Sequence, residues 1–291
     1  MRLCWMELRR VCRSTSYIVA VTALVLFAYF QDILPPSAML VPPGAEAAEG
    51  LRAHVVSEEE YALARDVDRF SGAHARLFCS RMGPALALAG ALCASELFLR
   101  DRRGVRAAVY ARGASSWGLV ARRCAALSAA VFLPVVVMAS ALSCVAAADY
   151  GLFNVDMTAY FRYALAWLLP AILLGVGAGA LGAALSGLPL GAAAMALWVW
   201  AERCPSAFRH ASFLAPRHEA LGRTEVFLTG AATLARGRVG AALLGLALMA
   251  LAALAVERRR GGAPFAKRFS LAARFGKAFQ PPRQASQTRG R

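Results

Sequence analysis

The sequence predicts an all-α integral membrane protein with six transmembrane helices and both termini in the cytoplasm. Composition supports this class, because 59% of the 291 residues are hydrophobic and the mean hydropathy is +0.51. A soluble domain is typically about 45–50% apolar and about 25% charged, whereas only 17% of this chain is charged. Long charge-free runs and the uneven distribution of basic residues along the chain also support this class. Disordered, collagen-like and disulfide-scaffold classes are excluded.

Five charge-poor runs are candidates for membrane spans, since a spanning helix needs about 20 mostly apolar residues. A signal peptide is the alternative for the first run, but its length and its aromatic end at Phe27, Tyr29 and Phe30 favour an uncleaved span. The run from 163 to 201 is too long for one helix, and Gly187 predicts a tight hairpin within it. We expect spans at about 14–34, 82–99, 124–148, 161–184, 187–202 and 238–257.

Basic residues predict the orientation. Segments 1–14, 100–123 and 257–291 carry net charges of +3, +6 and +9, which is +18 against +16 for the whole chain, so the remainder nets −2. Six spans bring these three segments to one side, which the excess of arginine and lysine identifies as cytoplasmic. The 31 arginines against two lysines, with abundant alanine, are typical of a GC-rich bacterial source. We therefore expect a multi-pass protein of the bacterial cell membrane.

The segments between spans carry local signals. In the first outer loop, Ser57 and Glu60 form a capping box that predicts a helix from about Glu58. The third outer loop is apolar enough for short re-entrant or interfacial helices. The predicted outer loops are 35–81, 149–160 and 203–237.

Three cytoplasmic segments flank or join the spans. Residues 1–13 predict a short interfacial helix, with a frayed basic leader as the alternative. The segment 100–123, called the elbow below, contains Ser115 and Ser116, either of which is suited to cap the next helix. The tail 258–291 contains either a basic amphipathic helix over 264–279 or a disordered basic stretch.

Catalytic and metal-binding motifs are missing from the sequence. It contains no phosphate-binding Gly-x-x-x-x-Gly-Lys loop, no His-Glu-x-x-His and no Cys-x-x-Cys. We therefore expect no catalytic residue, cofactor or metal in this chain, and no enzymatic activity. Because the basic residues alternate with apolar spans, we expect no nucleic-acid partner. Cys79 and Cys204 lie near outer span ends, either as a disulfide or as unpaired thiols.

Ionisable residues are scarce in the predicted spans. Only Glu96 lies inside one, close to its cytoplasmic end, where it can pair with Arg100 one turn later. Such spans argue against proton coupling and favour transport powered from outside the membrane domain. In the fourth span, Gly175 and Gly179 form a small-residue motif and Pro170 predicts a kink. This motif favours packing within the subunit, with a subunit interface or moving gate as the alternative.

The second span ends in Glu96, and a basic, glycine-containing elbow follows it. In this layout the chain resembles the membrane subunits of type-2 ATP-binding-cassette (ABC) exporters over residues 1–257. Gly113-Ala114 stands where that family usually has a proline before the serine. The positions that match the family pattern are Glu96, Arg102, Arg103, Gly104, Val109, Ser115 and Arg122 or Arg123.

The resemblance implies a permease subunit that forms the substrate pathway as a dimer with a second permease subunit. A separate ABC ATPase subunit would bind ATP and dock against the elbow, where Arg102, Arg103 and Arg106 offer contacts to acidic groups. The alternative is a non-transporting, multi-pass assembly or immunity subunit. A membrane-embedded enzyme is a further class, but it needs a catalytic cluster that the sequence does not contain.

Overall fold

A computed structural model describes residues 2–30, 39–42, 53–67, 69–100, 115–203 and 223–260. This part of the chain is mostly helical. Four helical segments are long and apolar enough to cross a membrane, and a fifth candidate is a bent helix pair near the N-terminus. The four segments are Ser71–Arg100, Ser116–Tyr150, Leu152–Ser186 and Thr224–Arg259. The chain is therefore a multi-pass membrane protein.

The N-terminal helix pair consists of α1 (Arg2–Cys12) and α2 (Thr15–Ala28). The helix predicted for residues 1–13 is confirmed. Ser14 caps α2 by accepting a hydrogen bond from the Tyr17 backbone N–H at 3.4 Å, and the two helices meet at 69°. Because α1 carries charged residues and α2 carries none, this bend separates a polar helix from an apolar one.

A small unit of two strands and a helix precedes the first long helix. Two three-residue strands, β1 (Met39–Val41) and β2 (Ala53–Val55), pair in parallel with Leu40 opposite His54. The sequence analysis did not predict them, because strands this short leave no periodic pattern. The helix α3 (Glu58–Asp66) follows, and Ser57 accepts a hydrogen bond from the Glu60 backbone N–H at 3.2 Å. The predicted cap is confirmed.

The longest described helices extend beyond the apolar runs that predicted them. The helix α4 covers Ser71–Arg100 and α5 covers Ser116–Tyr150. With a rise of about 1.5 Å per residue, α4 is about 45 Å long, whereas a bilayer's hydrocarbon core is about 30 Å thick. Both helices therefore place polar turns outside the apolar layer.

The helical segment Leu152–Ser186 contains an irregular turn. A short helix α6 (Ala159–Tyr163) continues through a π-helical turn (Ala164–Leu168) into α7 (Leu169–Ser186). Pro170 lies at the start of α7, where its missing N–H is accommodated by the change of hydrogen-bonding pattern. Gly187 then adopts a left-handed conformation with φ of 74° and ends α7. The predicted hairpin is confirmed.

The last two helices differ from their predicted extents. The helix α8 (Leu190–Arg203) has 14 residues, about 21 Å, so its described part is shorter than a span. The helix α9 (Thr224–Arg260) is one continuous 37-residue helix. Residues 224–237, predicted as part of the outer loop 203–237, therefore belong to α9 and form no separate short helices, and residues 204–222 of that loop lie outside the described residues. No proline interrupts α9, and its many Ala, Leu and Arg residues favour an unbroken helix.

The helix α7 is central, with its most extensive packing against α4 and α9. We call the end of the bundle where α4 ends and α5 begins the elbow end, and the opposite end the far end. At the far end, the Thr224 backbone N–H donates to a Glu60 carboxylate oxygen at 2.5 Å, and the Asp156 N–H donates to the Ser71 hydroxyl at 3.0 Å. At the elbow end, Arg259 on α9 donates to a carbonyl of α7. The two described termini lie together at the elbow end.

Candidate functional site

The elbow is attached to two long helices whose ends are both described. It leaves α4 at Arg100 and enters α5 at Ser115. The Ser115 hydroxyl accepts a hydrogen bond from the Gly118 backbone N–H at 3.1 Å, so Ser115 rather than Ser116 is the N-cap of α5. The remaining predicted elbow residues lie outside the described residues, and they are Arg102, Arg103, Gly104, Arg106 and Val109.

The last turn of α4 contacts the bend between α1 and α2. Glu96 and Arg100 form an ion pair one helical turn apart, which confirms the expected pairing. Arg10 and Ser14, from the bend, line the same small cavity as this pair. The Glu96 Oε2 atom is buried and has no hydrogen-bond partner within the described part of the chain. The first attachment point of the elbow therefore packs on the N-terminal helix pair.

The first turns of α5 contact α1 through a buried arginine. Arg123 is only 3% exposed, and its Nε atom lies 3.6 Å from a Glu7 carboxylate oxygen. A charge removed from water needs an opposite charge nearby, because desolvating it costs several kcal/mol. Arg122 instead donates to the Gly118 carbonyl of its own helix at 2.7 Å. Of the two basic residues that match the family pattern, Arg123 makes the contact between helices.

A third contact joins the start of α5 to the end of α9. The Trp117 indole N–H donates to a Glu257 carboxylate oxygen at 2.8 Å, and the indole is half exposed. A hydrogen bond to a charged group contributes about 1.5–3 kcal/mol when buried, and less when solvent competes for it. The elbow is thus attached to two helix ends, and polar contacts join each of these ends to neighbouring helices. A force on the elbow would be transmitted to α1, α4, α5 and α9.

The predicted small-residue motif lies where α7 packs on α4. A Cβ atom on Gly175 would overlap the backbone of Ala87, and one on Gly179 would overlap the backbone of Ala91. The Ser95 hydroxyl of α4 donates to the Gly179 carbonyl at 3.3 Å. These glycines permit close approach of two helices within one chain. Their described contacts favour the packing interpretation over a subunit interface.

A cluster of arginine and aromatic side chains at the far end was missed by sequence reasoning. The Arg76 guanidinium lies 4.1 Å from the ring centre of Phe227, and its Nη1 donates to the Tyr163 hydroxyl at 3.3 Å. The Arg238 guanidinium lies 5.8 Å from the ring centre of Trp167, and the Trp167 and Phe227 ring centres are 5.9 Å apart. This cluster joins α4, α9 and the helical segment that contains the π turn.

Three buried arginines lie outside the charge-free runs that predicted the spans. Arg76, Arg123 and Arg238 all lie on helices of membrane-spanning length and are at most 5% exposed. The predicted spans began after Arg76 and Arg123 and at Arg238, whereas the helices begin before all three residues. The spacing between charged residues on α4 could have indicated Arg76. It lies 20 residues before Glu96, which is about 30 Å along a helix and equals the thickness of the hydrocarbon core.

His74 was also expected outside the spans, but it lies in the first turns of α4. Its Nε2 atom is 2.9 Å from the Tyr150 hydroxyl, which also accepts a hydrogen bond from the Leu40 backbone N–H at 2.9 Å. The Tyr150 ring stacks on Phe70 with centres 4.6 Å apart. This group joins the strand pair of β1 and β2 to α4 and α5. Cys79 is buried, and Cys204 lies outside the described residues.

Comparison of the chain with protein-family models, curated protein sequences and solved structures finds no match. Within the described part of the chain, no group of three or more His, Cys, Asp or Glu side chains is placed to hold a metal ion.

Proposed function

We propose that this chain is the permease subunit of an ABC transporter, an exporter of the type-2 class. In this proposal it forms the substrate pathway as a dimer with a second permease subunit. A separate ATPase subunit binds and hydrolyses ATP on the cytoplasmic side and docks against the elbow. The dimer and the ATPase follow from the resemblance carried by Glu96 and the elbow residues.

The proposal includes six membrane passes, and the positions of the helix ends support that number. The described N-terminal helix lies at the elbow end beside Arg123, and α9 ends there beside Trp117. These positions support an even number of passes. The chain is at the elbow end at Ser186 and at the far end at Thr224. These two positions also support one pass between them, in which α8 would take part.

A reporter fusion tests this topology. Alkaline phosphatase, which is active only outside the cytoplasm, would be fused after Gly187 in one strain and after Arg223 in another. Six passes predict low activity at Gly187 and high activity at Arg223. Equal activity at both sites would show that α8 and the residues after it do not cross the membrane, and the six-pass proposal would fail.

The observation that carries the transport proposal is the way in which the elbow is attached. Its two ends belong to α4 and α5, and those helix ends touch α1 through Glu7 and α9 through Glu257. A subunit that pushed on the elbow would displace four helices together. An elbow that served only as a topology anchor would need charge but would not need these contacts between helices.

Co-purification tests the ATPase partner. The tagged chain would be co-expressed with the ABC ATPase encoded nearest to its gene, with the elbow either intact or changed by Arg102→Ala and Arg103→Ala. We expect the intact chain to retain the ATPase and the double variant to lose most of it. The control is Arg9→Ala with Arg13→Ala, which removes the same charge from exposed positions next to α2. This control should retain the ATPase.

Two results would contradict the proposal. If the elbow variant and its control retain the ATPase equally, then Arg102 and Arg103 do not form the docking site. If the intact chain retains no ATPase, the chain is not a permease of this class. The alternative of a non-transporting assembly or immunity subunit would then be favoured.

A further inference from the structure

The turn between α5 and α6, residues 151–158, exposes large apolar side chains at the far end of the bundle. It lies within the predicted outer loop 149–160 and contains one 3₁₀ turn (Leu152–Asn154). Phe153 is 96% exposed and Leu152 is 68% exposed. Packing within the described part of the chain therefore does not account for these two side chains.

Hydrogen bonding and burial fix the turn on both sides of Phe153. The Asn154 backbone N–H donates to the Gly151 carbonyl at 3.1 Å, and Gly151 leaves α5 with a positive φ of 84°. The next residue, Val155, is buried. Because the neighbouring residues are held in place, the exposure of Leu152 and Phe153 is a property of the fold.

Exposed apolar side chains continue from the turn onto both adjoining helical segments. Val145 is exposed on α5, and Met157, Phe161 and Leu165 are exposed before and along the segment that contains the π turn. Both segments are long and apolar enough to cross a membrane. Apolar surface on the outside of such a segment faces lipid, since transfer out of water is favourable. The turn is thus continuous with two lipid-facing surfaces.

Charged residues indicate the depth of the turn in the bilayer. Asp149 lies 26 residues after Arg123 on α5, which is about 39 Å along the helix. Arg162 lies 24 residues before Ser186, which is about 36 Å along the other segment. Both distances fall between the hydrocarbon core, about 30 Å, and the whole bilayer with its headgroups, about 40–45 Å. The turn between Asp149 and Arg162 is therefore level with the headgroups.

We propose that this turn inserts Leu152 and Phe153 into the leaflet at the far end, at the boundary between headgroups and acyl chains. Apolar side chains of interfacial segments lie about 5–10 Å deep in this layer. The partner is phospholipid without a preferred headgroup, because the contact is apolar and the nearby Asp156 and Arg162 pair with each other. Insertion would anchor the far ends of α5 and α6 at one depth.

A second copy of the chain and another segment of this chain are the alternative occupants of the surface. Either would cover Phe153 with protein and shield it from both lipid and water. Lipid is favoured because the exposed side chains are level with the headgroups and adjoin surfaces that already face lipid. The proposal needs only a multi-pass membrane chain. Its failure and the failure of the permease proposal are therefore separate results.

Fluorine NMR of the full-length chain in phosphatidylcholine nanodiscs, where water reaches both membrane faces, tests the proposal. The residue para-trifluoromethylphenylalanine would replace Phe153 and, in separate samples, Val137 and Glu59. Val137 is exposed near the middle of α5 and serves as the reference for the bilayer interior. Glu59 is exposed among the three acidic residues that begin α3 and serves as the reference for water.

Three paramagnetic probes would be added in turn to each sample. They are a lipid with a nitroxide near the headgroup end of its acyl chain, a lipid with a nitroxide near the chain end, and a gadolinium chelate in water. We expect the shallow nitroxide to broaden the Phe153 signal most. The deep nitroxide should broaden the Val137 signal most, and gadolinium should broaden the Glu59 signal most.

Three outcomes at Phe153 would overturn the proposal. Strongest broadening by gadolinium would show that the turn lies in water, and strongest broadening by the deep nitroxide would place it in the hydrocarbon core. Weak broadening by all three probes would show that protein covers it. The label resembles phenylalanine in size and replaces an almost fully exposed ring. A size-exclusion profile identical to that of the unchanged chain shows that each labelled chain is folded.

Discussion

The two ends of the helical bundle hold their arginines in different surroundings. At the elbow end, Arg123 faces Glu7 and Arg100 pairs with Glu96. At the far end, Arg76 and Arg238 lie over aromatic rings. These elbow-end contacts are ion pairs, whereas the far-end contacts spread over several large rings from three helical segments.

This difference indicates how the bundle would respond to a force. A single ion pair is a local contact that can break and form again as helix ends shift. Packed rings resist displacement, because interiors are dense and moving one ring disturbs its neighbours. We therefore expect the elbow end to move during the transport cycle while the far-end cluster holds α4, α9 and the π-containing segment together.

The largest effect is expected from Arg123→Ala. Removing one partner of a buried pair leaves the other charge uncompensated, which typically costs about 3–5 kcal/mol. We expect a loss of this size in the free energy of unfolding, measured by denaturant titration in micelles. The matched control is Arg122→Ala, since Arg122 bonds only within its own helix among the contacts described above. Equal losses for both variants would show that the contact with Glu7 does not stabilise the elbow end.

A smaller effect is expected at the far end from Arg76→Leu. A guanidinium stacked on a ring in a desolvated site contributes about 2 kcal/mol, and Arg76 is 5% exposed. A double-mutant cycle with Phe227→Leu would isolate the ring contact and should give a coupling energy of about 1–2 kcal/mol. Strictly additive losses would mean that the two side chains stabilise the fold independently, and the far-end cluster would lose its proposed role.

The smallest effect is expected from Trp117→Phe, which removes the hydrogen bond to Glu257 and keeps an aromatic ring. Because the indole is half exposed, we expect a stability loss of about 1 kcal/mol, together with a clear loss of ATPase-driven transport. Trp5→Phe, an exposed tryptophan of α1, is the control and should change neither quantity. Unchanged transport in the Trp117 variant would remove α9 from the coupling route.

Much of the fold could be predicted from local sequence signals. Ser57 and Ser115 cap helices as expected because a serine hydroxyl satisfies the free N–H groups of a first turn. Gly187 ends α7 because glycine adopts positive φ without steric cost. The pairing of Glu96 with Arg100 follows from helix periodicity alone.

The tertiary contacts could not be predicted in the same way. Glu7 and Arg123 are more than 100 residues apart, and no pattern along the chain links them. The charge-free runs left out Arg76 and Arg238, because such a run marks only the apolar part of a helix. Aromatic rings from other segments allow both residues to be buried, and that compensation is visible only in three dimensions.

In the proposed transporter, the elbow is the surface against which an ATPase subunit acts. Site-specific photo-crosslinking in cells tests this docking, with a benzophenone amino acid at Val109 in the elbow and, separately, at the exposed Val55 of β2. We expect an adduct between the Val109 variant and a protein carrying an ABC ATPase signature, identified by mass spectrometry, with none from Val55. The absence of an ATPase adduct at Val109, or the same adduct at both sites, would show that the elbow is not the docking surface.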